Sequence, residues 1–126
     1  MLVVDDEPHV GRMLVRLLRR THDVVAVADP DEALALAVAE PWEAILCDVM
    51  MPGTNGPEFH ARLEAARPEA AARLGFMTGG LFDPEMEGFL ESLGEGGWLS
   101  KPFDRRAVIA YLERLTAPSS EDGGSA

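Results

Sequence analysis

Short apolar runs rich in β-branched residues recur along the chain at Leu2–Val4, Val24–Val27, Ala44–Cys47, Leu74–Met77 and Trp98–Leu99. Longer segments with helical spacing separate them, so the pattern predicts five strands alternating with five helices. The first helix is expected to begin after Asp6, with Pro8 early in it, where a missing N–H is harmless. It carries Val10, Met13, Leu14, Leu17 and Leu18 on one face, and Arg12, Arg16, Arg19 and Arg20 on another. A second helix starts at Asp29-Pro30, runs through ALALAVA and stops at Pro41. A third spans residues 57–67 and ends before Pro68; a fourth opens at Asp83-Pro84 and dies among Gly94, Gly96 and Gly97. The last spans residues 104–116.

This alternation implies an α/β fold, with a parallel sheet covered by helices on both faces. LVV, VVAV and AILC are apolar throughout, as strands buried on both sides are. Right-handed crossovers make the sheet doubly wound, most simply in the flavodoxin-like order 2-1-3-4-5. Residues 1–116 are expected to form one domain. The small polar stretch 117–126, ending SSEDGGSA, is expected to be a disordered tail.

Composition narrows the class. At 126 residues the chain fits a single domain that buries roughly two-thirds of its unfolded surface, with no staple required. The lone Cys47 rules out an internal disulfide, fits a reducing compartment, and is expected simply to pack inside its strand. The longest apolar run, Ala33 to Ala39, is far shorter than the roughly 18 residues of a membrane span, and no secretory signal opens the chain. A cytoplasmic protein is expected. Eleven basic against 22 acidic residues give a net charge of −11, which argues against a nucleic-acid partner. All the cations but Lys101 are arginines, so that lysine stands out.

In an open parallel sheet, ligands bind beyond the carboxyl ends of the strands. Asp5 and Asp6 follow the first strand, Asp48 the third, Thr78 closes the fourth, and Lys101 lies just past the fifth. Each has an ordinary explanation: Asp6 as a helix cap, Asp48 as the start of a turn, Thr78 as a strand residue, Lys101 as a surface charge. Four strand ends that all deliver such groups point to a shared site. Three gathered carboxylates repel one another, so their pKa values rise or a cation joins them. Hard oxygen donors suit Mg²⁺. A carboxylate beside Mg²⁺ can attack phosphorus and form an acyl phosphate, with Lys101 neutralising charge and Thr78 donating to a phosphoryl oxygen. The set reads as a phosphorylation site.

VVDDEP, CDVMMPG, FMTGG and WLSKPF, in this order, resemble the receiver domain of two-component response regulators. The resemblance runs from Leu2 to about Leu115. It implies that Asp48 is the phospho-acceptor. Asp6, Asp48 and the backbone carbonyl of Met50 would ligate Mg²⁺, with Asp5 acting mainly through water. It also implies Thr78 as the switch hydroxyl, Lys101 as the family's lysine, and a cis peptide bond at Pro102. Trp98 stands where receivers place a switching aromatic; a fixed strand-edge ring is the alternative. Met50 and Gly80 occupy the positions that flank the path of hydrolytic water in receivers. Neither offers an acid or amide, which predicts slow loss of the phosphoryl group.

Receivers commonly dock a histidine kinase or histidine phosphotransfer domain on the first helix, which implicates Val10, Arg12, Leu14 and Arg16; a solvated amphipathic face is the alternative. A homodimer stays open. His9, His22 and His60 read as surface residues. The glycine-rich segment 80–97 is expected to be mobile. Among competing functions, a flavin site is disfavoured by the acidic DDEP loop, and an aspartate-nucleophile phosphatase by Met50 in place of a second Asp. A phosphorylation-independent binding module is the main alternative. The chain begins almost inside its first strand, as an excised module would, and FMTGG followed by a short acidic fourth helix resembles receivers attached to hybrid sensor histidine kinases; a free single-domain regulator is the other context.

Overall fold

Prolines mark most of the helix starts, because a residue with fixed φ and no N–H suits the first helical turn. The computed structural model describes residues 1–79, 84–94, 97–101 and 104–116, of residues 84–86 the backbone alone. In chain order these form β1 (Leu2–Val4), α1 (Pro8–Leu18), β2 (Val25–Val27), α2 (Pro30–Ala39), β3 (Ile45–Asp48) and α3 (Gly56–Ala66). There follow α4 (Pro68–Ala71), β4 (Leu74–Thr78), α5 (Pro84–Ser92), β5 (Trp98–Ser100) and α6 (Arg105–Leu115). The strands are all parallel and lie in the order β2-β1-β3-β4-β5, as expected. Gly80, Pro102, part of the segment 80–97 and the tail 117–126, for which the sequence raised expectations, lie outside the described residues.

Alternate residues of a strand face opposite sides, and this sorts the core into two layers. Leu2, Val4, Ile45, Cys47 and Phe76 pack towards Ala33 and Ala37 of α2, Phe59 and Leu63 of α3, and Leu90 of α5. Val3, Leu46, Met77 and Leu99 pack towards Val10, Leu14 and Leu18 of α1, and Val108, Tyr111 and Leu112 of α6. Cys47 is buried, and burial, followed by the charges of Asp48 and Asp5, pushes its thiol up, so it packs rather than reacts.

Four local details differ from the sequence pattern. Pro68, expected only to end a helix, opens the short α4. The VVAV run does not form a strand buried on both sides: β2 lies at the sheet edge, where Val25 is 43% exposed and Ala26 is exposed too. Asp6 does not cap α1. Glu7 holds the cap position without a side-chain bond, and Asp5 Oδ1 accepts from the Glu7 N–H at 2.9 Å. Finally, Val10 and Leu14 cannot meet a docking partner as expected. They lie four residues apart on the stripe of α1 that faces the sheet, and are 4% and 0% exposed. Arg12 and Arg16, on the other face, are exposed.

The chain from β3 into α3 is closed by its own backbone. The Gly56 N–H donates to Val49 O at 2.8 Å, and Asn55 and Glu58 bond reciprocally in a capping box. A Cβ at Gly56 would lie 3.0 Å from Val49 Cα, so only glycine allows this approach without a shift.

Candidate functional site

The register brings the expected polar residues to one edge. Asp5 follows β1, its N–H donating to Val27 O at 3.2 Å. Asp48 ends β3 and Thr78 ends β4. Lys101 follows β5, its N–H donating to Thr78 O at 2.8 Å. Asp5, Asp6 and Asp48 each place a carboxylate oxygen within 4.8 Å of the others. Asp6 is the most exposed of the three, whereas Asp5 and Asp48 are 3% and 5% exposed.

Lys101 reaches into this group from β5. Its Nζ lies 2.9 Å from Asp5 Oδ2, 3.7 Å from Glu7 Oε1 and 3.8 Å from Asp48 Oδ2. Burial alone would lower its pKa, but the hydrogen bond to Asp5 and the charges of Asp48, Asp5 and Glu7 outweigh that and raise it. Asp48 is pushed up to about 7, by burial first and then by the charge of Asp5. Lys101, a hydrogen bond from the Met50 backbone and the charge of Asp6 act as smaller influences, the first two lowering and the last raising. One lysine therefore leaves the carboxylates under-neutralised. A hard divalent cation would supply the missing charge, and the all-oxygen donor set of Asp5, Asp6 and Asp48 fits Mg²⁺.

Thr78 is 1% exposed, and its Oγ1 has no hydrogen-bond partner among the described residues. A buried hydroxyl without a partner is costly, and at this strand end it is available to an incoming oxygen. Trp98 is half-buried and packs against the layer containing Phe76. The Met50 side chain is 40% exposed beside the acidic cluster. His9, His22 and His60 contribute nothing to the cluster: His22 bonds Thr21, and His60 tilts against Phe76.

Sequence reasoning missed two residues. Glu7 adds a carboxylate to the surroundings of Lys101, and its position directly after the aspartate pair was the available signal. Tyr111 binds the β4–β5 margin of the site from α6, and no local motif announces it.

A doubly wound sheet whose ligand edge carries acids, a buried hydroxyl and a lysine defines the class: a flavodoxin-like domain with a cation-seeking site. Residues 1–113 match the response regulator receiver domain, and the chain belongs to that family. It is 32% identical over 123 residues to the transcriptional regulatory protein ResD of Bacillus subtilis (strain 168), covering 96% of this chain and 49% of ResD. The chain thus spans about half the length of that relative. Among solved structures it resembles the Vibrio cholerae chemotaxis protein CheY4, at 28% identity and TM-score 0.73, covering 90% of this chain and 95% of that one. It also resembles the receiver domain of the Pseudomonas aeruginosa PAO1 sensor histidine kinase PA1611, solved with a magnesium ion in its active-site cleft. There the identity is 25% and the TM-score 0.74, covering 93% of this chain and 96% of that one. Receiver domains belong to two-component systems, bind Mg²⁺ at an acidic pocket, and work with histidine kinases or phosphotransfer proteins. Among the described residues, no helix is long and apolar enough to cross a membrane.

Proposed function

We propose that this chain accepts a phosphoryl group on Asp48 from a donor phosphohistidine in a two-component phosphorelay. The observation that carries this is the placement of Asp48: buried, beside Asp5 and Asp6, with Lys101 3.8 Å away and, on the neighbouring strand end, a Thr78 hydroxyl that has no partner among the described residues. A carboxylate oxygen of Asp48 attacks phosphorus, the P–N bond to the donor imidazole breaks, and its electron pair leaves with the imidazole. Lys101 meets the charge arriving on the phosphoryl oxygens. Thr78 turns its hydroxyl to one of them, and Trp98 responds on the adjoining strand. Asp6, Asp48 and the Met50 carbonyl would hold Mg²⁺, with Asp5 supporting them. The bound cation supplies charge neutralisation for the attack.

The donor docks on the exposed face of α1. Arg12 and Arg16 stand there beside Met13 and Val15, which are 37% and 39% exposed. Between α1 and α6 a groove of about 640 Å³ is lined by Met13, Arg16, Leu17, Arg19, Arg20 and Arg105. None of its four arginines has a carboxylate within ion-pair distance among the described residues. On a chain of net charge −11 this basic strip favours an acidic helical partner. The need for a phosphoryl supply also supports a cytoplasmic setting, where donor kinases meet ATP.

The test is intact mass after incubation with Mg²⁺ and acetyl phosphate, and then with a phosphorylated histidine kinase. One added phosphoryl group, lost in Asp48→Ala and with EDTA, is expected. No addition from either donor overturns the proposal and favours a phosphorylation-independent binding module.

A further inference from the structure

The strand pairings begin in two different ways. Three open with a direct backbone bond: Val25 N–H to Met1 O at 2.9 Å, Leu2 N–H to Ala44 O at 3.0 Å, and Ile45 N–H to Arg73 O at 3.0 Å. In the β4–β5 pairing Phe76 is in register with Trp98, so by the same rule its N–H would donate to Gly97 O. Instead the Phe76 N–H donates to the Tyr111 hydroxyl at 3.1 Å, and that hydroxyl donates to Gly97 O at 2.9 Å. A phenol from α6 is inserted where a backbone bond would stand. Two residues further along, the backbone pairing is direct again, with Lys101 N–H on Thr78 O at 2.8 Å.

The insertion has a prepared seat. A Cβ at Gly75 would lie 2.7 Å from both the ring and the hydroxyl of Tyr111, so β4 gives up a side chain to admit this one. Leu115 packs into the same seat, at 3.0 Å from that Cβ position, but without a polar atom. Tyr111 is 8% exposed, so water does not substitute readily for its two bonds. Filling alone would be served by phenylalanine. What distinguishes tyrosine is that both of its bonds end on backbone, one on each strand.

We propose, building on the phosphoryl-acceptor role of Asp48, that Tyr111 is a positioning residue: its hydroxyl spaces β5 from β4 and so sets where Trp98 and Lys101 stand relative to Thr78. The β4–β5 seam carries three of the groups that respond to a phosphoryl oxygen. One end is fastened by backbone and the other by a side chain of α6. Movement of Thr78 or Lys101 is thereby felt by α6, and displacement of α6 is felt at the site.

The experiment uses the whole chain in a Trp42→Phe background, which leaves Trp98 as the only tryptophan. Tyr111→Phe removes the bridge and keeps the ring; Leu115→Ala loosens the same seat and keeps the bridge. Cooperative thermal unfolding confirms that each folds. In Tyr111→Phe the Phe76 amide is expected to exchange about five- to tenfold faster, as the loss of one hydrogen bond implies. The Trp98 emission maximum shifts, and phosphoryl uptake from acetyl phosphate with Mg²⁺ slows about three- to tenfold. Leu115→Ala is expected to leave Trp98 emission and uptake at the parental values. Parental emission and uptake in Tyr111→Phe overturn the proposal, as does Leu115→Ala reproducing its changes. If the parent takes up no phosphoryl group while Trp98 and Phe76 still respond to Tyr111→Phe, the acceptor reading falls and the spacer role stands.

Discussion

Lys101 is fastened to Asp5 rather than to Asp48: its ammonium lies 2.9 Å from one carboxylate and 3.8 Å from the other. Asp5 spends its second oxygen on the Glu7 N–H. The ammonium is thus held beside Asp48 without fully neutralising it, and burial and the charge of Asp5 keep that carboxyl up at about 7. A phosphoryl group on Asp48 would bring new oxygens to an ammonium already at hand.

Stability should fall as pH rises through this range. A carboxyl whose folded pKa is about 7, against 3.8 unfolded, retains its proton longer in the folded chain. Its contribution therefore favours folding at low pH and is lost between about pH 4 and pH 7. In metal-free buffer at pH 8, Asp48→Asn should be more stable than the parent by a few kcal/mol, on the order of 1.4 per unit of displaced pKa. Urea unfolding at pH 5 and pH 8 measures this; an equal advantage at both values would refute it.

Mg²⁺ should offset part of the penalty. At about ten times its dissociation constant the ion adds roughly 1.4 kcal/mol, or about 4–8 °C in Tm for a domain of this size. Thermal unfolding with and without EDTA should show that rise in the parent. It should shrink to nothing in Asp6→Asn or Asp48→Asn.

The Thr78 hydroxyl should contribute little to resting stability. Thr78→Val removes a buried group that has no partner among the described residues, so the resting form should change by less than about 1 kcal/mol. The phosphorylated form should lose its Trp98 emission change. A cost well above 1 kcal/mol in urea unfolding would mean that the hydroxyl is already engaged at rest.

The two faces of α1 should separate folding from docking. Leu14→Ala should cost about 2–5 kcal/mol, because Leu14 is fully buried. Arg16→Glu should stay within about 0.5 kcal/mol of the parent. It should slow phosphotransfer from the phosphorylated histidine kinase about tenfold, with acetyl phosphate labelling as the reference that needs no docking. Equal slowing with both donors would place the defect in the site and remove α1 from the docking surface.

Met50 should prolong the phosphorylated state. Its thioether offers no hydrogen bond to align water, whereas an amide at this position can. Met50→Asn should shorten the aspartyl phosphate lifetime severalfold by intact mass after donor removal; an unchanged lifetime would defeat this explanation.

The sequence made the site legible because topology does most of the gathering. Once LVV, AILC and LGFM are placed in a parallel sheet, Asp5, Asp48, Thr78 and Lys101 fall on one edge without knowledge of packing. The same pattern could not say which face of α1 is buried near the site. Val10, Leu14 and Leu18 form the inward stripe, while Met13 and Val15, equally apolar, point out. The expected strand order already put β2 at the edge, but the pattern could not say that its faces would stay exposed, since Val25 and Ala26 look no different from Val3 and Leu46. Pro68 was ambiguous for a related reason: proline both ends one helix and starts the next. Glu7 and Tyr111 act through contacts over 94 and 35 residues of chain, to Lys101 and Phe76, which no local window contains.

The capping box and the Gly56–Val49 bond give Asp48 a side tied down by backbone. From Asp48 the chain passes into α3 through backbone bonds that are already made, and neighbouring atoms leave Gly56 no room for a side chain. Across the sheet, the β4–β5 wall holds a hydroxyl with no partner among the described residues and a ladder closed at one end by a phenol. Under the proposed acceptor role, the pocket would work as a vice with one fixed jaw. A group added at Asp48 would meet resistance towards α3 and compliance towards Thr78, so its chemical work would be delivered in one direction, to β5 and α6.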